Sequence, residues 1–144
     1  MRRVILLFII ATSLLQAKPT LTSEVKLLLK DAKSKVAGLT AEETKALIDK
    51  ESVILIDVRD PNEWAKGGIS STKTINISRG FLEVKYPKLI LKHYSKNDAF
   101  IVYCALELRS VLAASRLKDL GFTNVSYLKG GLKNWSLHRY PTTK

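Results

Sequence analysis

The chain of 144 residues carries one cysteine, Cys104, in the stretch IVYCALELRS, five positions before Arg109. A thiol paired with a guanidinium at that distance is the equipment of nucleophilic chemistry. The thiolate is the attacking form, and a nearby cation favours it over the thiol. The competing reading is a small buried hydrophobe closing a core strand, because free cysteine is among the most buried residue types. A lone cysteine forms no internal disulfide, no C-x-x-C redox pair and no multi-thiolate zinc site. His93 and His138 lie far apart among lysines and polar residues, without ligand spacing, so both read as surface residues and neither metal nor cofactor is expected.

The elements around Cys104 decide between these readings. Leu21, Val25, Leu28, Leu29 and Val36 stand near helical spacing between lysines, which predicts an amphipathic leader helix over 21–37 stopped by Gly38. Thr40 and Glu43 have the form of a capping box, placing a second helix over about 41–50. The runs 53–56, 74–77, 100–103 and 125–128 are short, apolar and rich in β-branched residues, and each reads as a strand. Between the last two, Ala113, Ala114, Leu117 and Leu120 share a helical face that Gly121 ends. A strand, helix, strand crossover of this kind pairs its strands in parallel. The expected class is α/β, a central mostly parallel sheet with helices on both faces. Cys104 then falls at the carboxyl end of a strand, and Arg109 at the start of a helix. That edge is where such sheets bind ligands, and loop amides together with the helix dipole favour a thiolate there.

Met1-Arg2-Arg3 followed by the apolar run Val4–Leu15 and by Gln16-Ala17 has the layout of a secretory signal over 1–17. The run is too short for a membrane span of roughly 20 residues, so no span is expected in the mature chain. An uncleaved amino-terminal anchor is the alternative. Either places the protein in the periplasm or otherwise outside the cytoplasm. The formal charge is +11. The surplus steers anions inward, but its lysines are scattered and no nucleic-acid motif accompanies them. Nucleic acid is therefore not an expected partner.

Three stretches in order carry a family resemblance: Leu55-Ile-Asp-Val-Arg59 with Glu63-Trp64; Gly67-Gly-Ile69 leading to Ile75-Asn-Ile77; and Val102-Tyr-Cys104 with Arg109-Ser110, followed by Leu128-Lys-Gly-Gly131 and Trp135. Together they resemble a single-domain rhodanese, a thiosulfate sulfurtransferase, over 39–141. The leader helix, 18–38, precedes that domain and a short tail, 142–144, follows it. The resemblance implies the rhodanese-like α/β fold and a persulfide mechanism. Cys104 would take a sulfane sulfur from a small anionic donor, thiosulfate or a persulfide, and pass it to a thiol or protein acceptor. Ala105, Leu106, Glu107, Leu108, Arg109 and Ser110 would bind the substrate. Independently of the resemblance, a monomer is expected. Asp57, Arg59 and Glu63 read as structural support, with Asp57 accepting loop amides and Arg59 pairing with Glu63. Trp64 and Trp135 read as packing anchors.

Two departures bear on activity. Gly68-Ile-Ser70-Ser71 stands where the family carries His-Ile-Pro-Gly, so that loop is expected to sit differently. Glu107 occupies a loop position that the family fills with glycine, which permits positive φ and close backbone approach. At the rim of the pocket its carboxylate would repel a dianion such as thiosulfate. Glu107 thus favours a second class of function, a rhodanese-fold binding module or persulfide carrier with little turnover. The apolar Leu106 and Leu108 favour bulkier thiol or protein persulfide substrates. A phosphatase of related type needs a longer loop than the six residues from Cys104 to Arg109.

Overall fold

The computed structural model describes residues 20–144, and the expected signal segment lies outside the described residues. The elements in chain order are α1 (Ser23–Lys35), β1 (Ala37–Leu39), α2 (Ala41–Asp49), β2 (Ile54–Asp57), α3 (Pro61–Trp64), β3 (Thr74–Asn76), α4 (Leu82–Leu89), β4 (Phe100–Tyr103), α5 (Leu108–Asp119), β5 (Val125–Leu128) and α6 (Gly131–Leu137). The strands form one sheet in the order β1-β5-β4-β2-β3, with every neighbouring pair parallel. This is the expected α/β class.

Central strands β2 and β4 are buried at every position, which is why their sequences run apolar without alternation. Leu29 and Ala32 of α1, Leu82 of α4, and Val111, Ala114 and Leu117 of α5 cover one face, against Ile54, Ile56, Phe100 and Val102. Ala41 and Trp135, from α2 and α6, cover the other, against Leu55, Ile101, Tyr103 and Leu128. Side chains alternate along a strand. Cys104 therefore joins Phe100 and Val102 on the α5 face, while Tyr103 points to the opposite one.

The second helix starts as read: the Thr40 hydroxyl accepts from the Glu43 amide at 3.1 Å, and the Glu43 carboxylate accepts from the Thr40 amide at 2.8 Å. Gly38 has another role than the predicted one. α1 ends at Lys35, and Gly38 lies inside β1, where a Cβ would meet Cζ of Tyr127 at 2.6 Å. The glycine lets the Tyr127 ring cross the edge strand. A three-residue strand offers no period to read, and short α3 and α6 escape notice for the same reason.

Candidate active site

Cys104 stands just past the end of β4, with 2% of its surface exposed, at the base of a pocket of ≈ 190 Å³. Ala105, Leu106, Leu108 and Arg109 complete the lining. Leu106 is 58% exposed, so the rim is apolar and open to a partner. The thiol donates to the Ser110 hydroxyl at 3.7 Å, which in turn donates to the Glu107 carbonyl at 2.7 Å. Ser110 is fully buried beneath the loop and, like Glu107, does not line the pocket.

The start of α6 fixes the loop. The Leu132 amide donates to the Cys104 carbonyl at 2.8 Å, and the Lys133 amide to the Ala105 carbonyl at 3.0 Å. These amides belong to the first turn of a helix and lack intrahelical partners, so the loop carbonyls satisfy them. Because the N–H of a trans peptide points opposite to its carbonyl, the amides that follow these carbonyls, those of Ala105 and Leu106, point away from α6. Such close approach needs Gly131, with φ of +60°, where a Cβ would meet the Cys104 carbonyl oxygen at 2.6 Å and the Leu106 carbonyl at 2.8 Å. In the sequence the only signal for this role is a pair of adjacent glycines, Gly130-Gly131, one residue past a strand.

Arg109 is the second residue of α5, as expected, and lines the pocket. Its guanidinium makes a two-pronged bond to Glu63, at 2.7 and 2.8 Å, and reaches Asp60 at 3.3 Å. The Arg109 bond holds the Glu63 carboxyl at about 2, far below its ordinary 4.5. The expected pairing of Arg59 with the Glu63 carboxylate does not occur. Arg59 binds Asp57 instead, Nη2 to Oδ2 at 2.6 Å and Nε to Oδ1 at 3.0 Å, and reaches only the backbone carbonyl of Glu63, at 3.2 Å. Both partners are buried, and a carboxylate two residues away on the strand end is the nearer compensation for a desolvated guanidinium. Asp57 also accepts the Arg59 amide at 3.0 Å, as expected for a loop-holding carboxylate.

Glu107 departs furthest from its reading. Its φ is 174°, extended backbone that any residue adopts, so no glycine is needed there. Its carboxylate turns out of the pocket, to Lys33 of α1 at 2.5 Å and to the Gly130 amide at 2.8 Å. Burial pushes its carboxyl up, but these two bonds outweigh it and hold it below the ordinary value.

Gly68 abuts Tyr103 and Arg59: a Cβ there would meet the Tyr103 hydroxyl at 2.7 Å and Nη2 of Arg59 at 2.9 Å. The neighbouring loop is tied to the chain's last residues, Thr143 N to Gly68 O at 2.8 Å and Ser70 N to Pro141 O at 3.1 Å. Trp135 is fully buried, as a packing anchor should be, and its Nε1 donates to the Pro141 carbonyl. Trp64 is only partly buried, with its Nε1 enclosed and unpaired beside a second cavity of ≈ 210 Å³ on the Tyr103 side. His93 and His138 are on the surface, as read.

Known proteins resemble this chain in sequence and in fold. A 100-residue stretch is 30% identical to the thiosulfate sulfurtransferase GlpE of Pseudoalteromonas translucida, covering 67% of this chain and 86% of that one. Among solved structures, a polysulfide-sulfur transferase homodimer from Wolinella succinogenes superposes with a TM-score of 0.69 at 29% identity, covering 83% and 87% of the two chains. A Rhodopseudomonas palustris protein of unknown function, described as a possible tyrosine phosphatase, gives 0.71 at 30%, covering 88% and 99%. Residues 40–138 match the model of the rhodanese-like domain, and the chain belongs to that family.

Proposed function

We propose that the chain is a sulfurtransferase working through a Cys104 persulfide. The Cys104 thiolate attacks the outer sulfur of thiosulfate, forming one S–S bond while the donor's S–S bond breaks and sulfite leaves with the electron pair. An acceptor thiolate, or cyanide, then attacks the outer persulfide sulfur and returns Cys104 as thiolate. The observation that carries this reading is Cys104 at the base of a pocket whose loop carbonyls are drawn away by α6. Such a loop presents its amides to an anionic sulfur and stabilises it without a metal. The relatives named sulfurtransferases support the same chemistry.

The binding-module reading rested on Glu107 repelling the donor. That carboxylate is paired with Lys33 and does not line the pocket, so the argument for weak turnover loses its basis. The six-residue span from Cys104 to Arg109 likewise favours sulfur transfer over phosphate hydrolysis. Export to the periplasm, by a signal over 1–17, belongs to the same proposal.

Incubation with thiosulfate should add one sulfur atom to the intact mass, and cyanide should remove it as thiocyanate. Cys104→Ser should do neither. A wild type that neither gains the sulfur from thiosulfate nor from a glutathione persulfide overturns the reading.

A further inference from the structure

Glu107 is the point where three elements meet, three residues from the reactive sulfur. Its carbonyl accepts from the Val111 amide of α5 at 3.0 Å and from Ser110. Its carboxylate accepts from the Gly130 amide, at the entry to α6, and from Lys33 of α1. α1 lies before the residues matched by the family model, 40–138, yet Leu29, Ala32 and Val36 root it in the core beside α5. Lys33 therefore reaches Glu107 from a fixed base.

We propose that Glu107 is a positioning residue that clamps the Cys104 loop to α1 through Lys33 and to the start of α6 through the Gly130 amide. The segment preceding the family domain is then part of the catalytic apparatus. This rests on the sulfurtransferase reading for its kinetic arm and on the geometry alone for its structural one. An ion pair with Lys33 45% and Glu107 21% exposed adds little to global stability. Its effect lies in loop position. A loop whose amides must meet a developing anion within a fraction of an ångström loses rate when it drifts.

The opposite account makes Glu107 a negative charge that repels the donor, and the two predict changes of opposite sign. Under that account Glu107→Gln speeds thiosulfate turnover. Under the clamp it slows it, since the amide side chain keeps an acceptor for Gly130 but loses Lys33. The experiment compares wild type, Glu107→Gln, Glu107→Ala, Lys33→Met and the double variant Lys33→Met/Glu107→Gln. Lys30→Met, which removes an exposed lysine from the same helix, serves as control. Thiosulfate–cyanide turnover is measured beside hydrogen exchange of the amides of 105–108.

Expected kcat falls are about threefold for Glu107→Gln and Lys33→Met and about tenfold for Glu107→Ala, with KM for thiosulfate within about twofold of wild type. The double variant should be no slower than the slower single one, because both remove one contact. Loop exchange should quicken in all four variants, and Lys30→Met should match wild type. A higher kcat in Glu107→Gln, additive losses in the double variant, or turnover and exchange unchanged throughout would each overturn the clamp. If wild type transfers no sulfur at all, exchange decides alone. Faster loop exchange keeps the clamp while the sulfurtransferase reading falls; unchanged exchange sinks the clamp as well.

Discussion

Gly131→Ala tests the close approach of α6 to the Cys104 loop. Two costs add at this position. The backbone has φ of +60°, which an L side chain adopts at about 1–2 kcal/mol. The new Cβ would also lie 2.6 Å from the Cys104 carbonyl oxygen and 2.8 Å from the Leu106 carbonyl, so loop and helix must part by roughly 0.5 Å or more. Overpacking against backbone costs about 1–3 kcal/mol, giving about 2–5 kcal/mol in total. Gly121→Ala separates the two costs. Its φ is +90°, but its Cβ would meet only the far end of Lys96, at 3.7 Å. It should lose about 1–2 kcal/mol and keep full activity. Urea unfolding supplies the stabilities, and thiosulfate–cyanide turnover on the folded fraction supplies the rates. A loop shift of that size should cost Gly131→Ala at least about tenfold in kcat. Equal stability losses in the two variants, with Gly131→Ala fully active, would refute the claim that this glycine sets the loop's position.

The Arg109–Glu63 pair predicts a pH dependence. The Arg109 guanidinium holds the folded Glu63 carboxyl at about 2, below its ordinary 4.5, so its stabilisation is complete above 4.5 and is lost as pH falls toward 2. The pair is partly exposed and screened, so Glu63→Gln should cost about 1 kcal/mol at pH 7, with the difference from wild type vanishing toward pH 2 in urea titrations. A difference independent of pH would refute the assignment. Asp57→Asn should cost more, about 3 kcal/mol at pH 7, because it leaves the Arg59 guanidinium, 4% exposed, without a counter-charge. A loss no larger than that of Glu63→Gln, measured the same way, would mean that solvent reaches Arg59.

The class of fold is legible in the residues alone. Apolar runs of four, a capping box and a helix stopped by Gly121 suffice for a parallel α/β sheet, because these signals lie within a few residues of one another. The same locality put Cys104 at a strand end and Arg109 at a helix start. The direction in which each charged side chain turns depends on residues far apart in the chain. Arg59 has Asp57 and Glu63 both within reach along the chain, and burial selects Asp57, while Glu63 goes to Arg109 from 46 residues away. Glu107 reads as a charge at the mouth of the pocket until Lys33, 74 residues earlier, and the Gly130 amide draw it aside. Gly38 and Gly131 look alike as punctuation in a sequence, yet one makes room for a tyrosine ring and the other for the carbonyls of the Cys104 loop. Local propensity and hydrophobic period are properties of neighbouring residues. Ion-pair choice and close approach depend on which distant residues the completed sheet brings within a few ångströms.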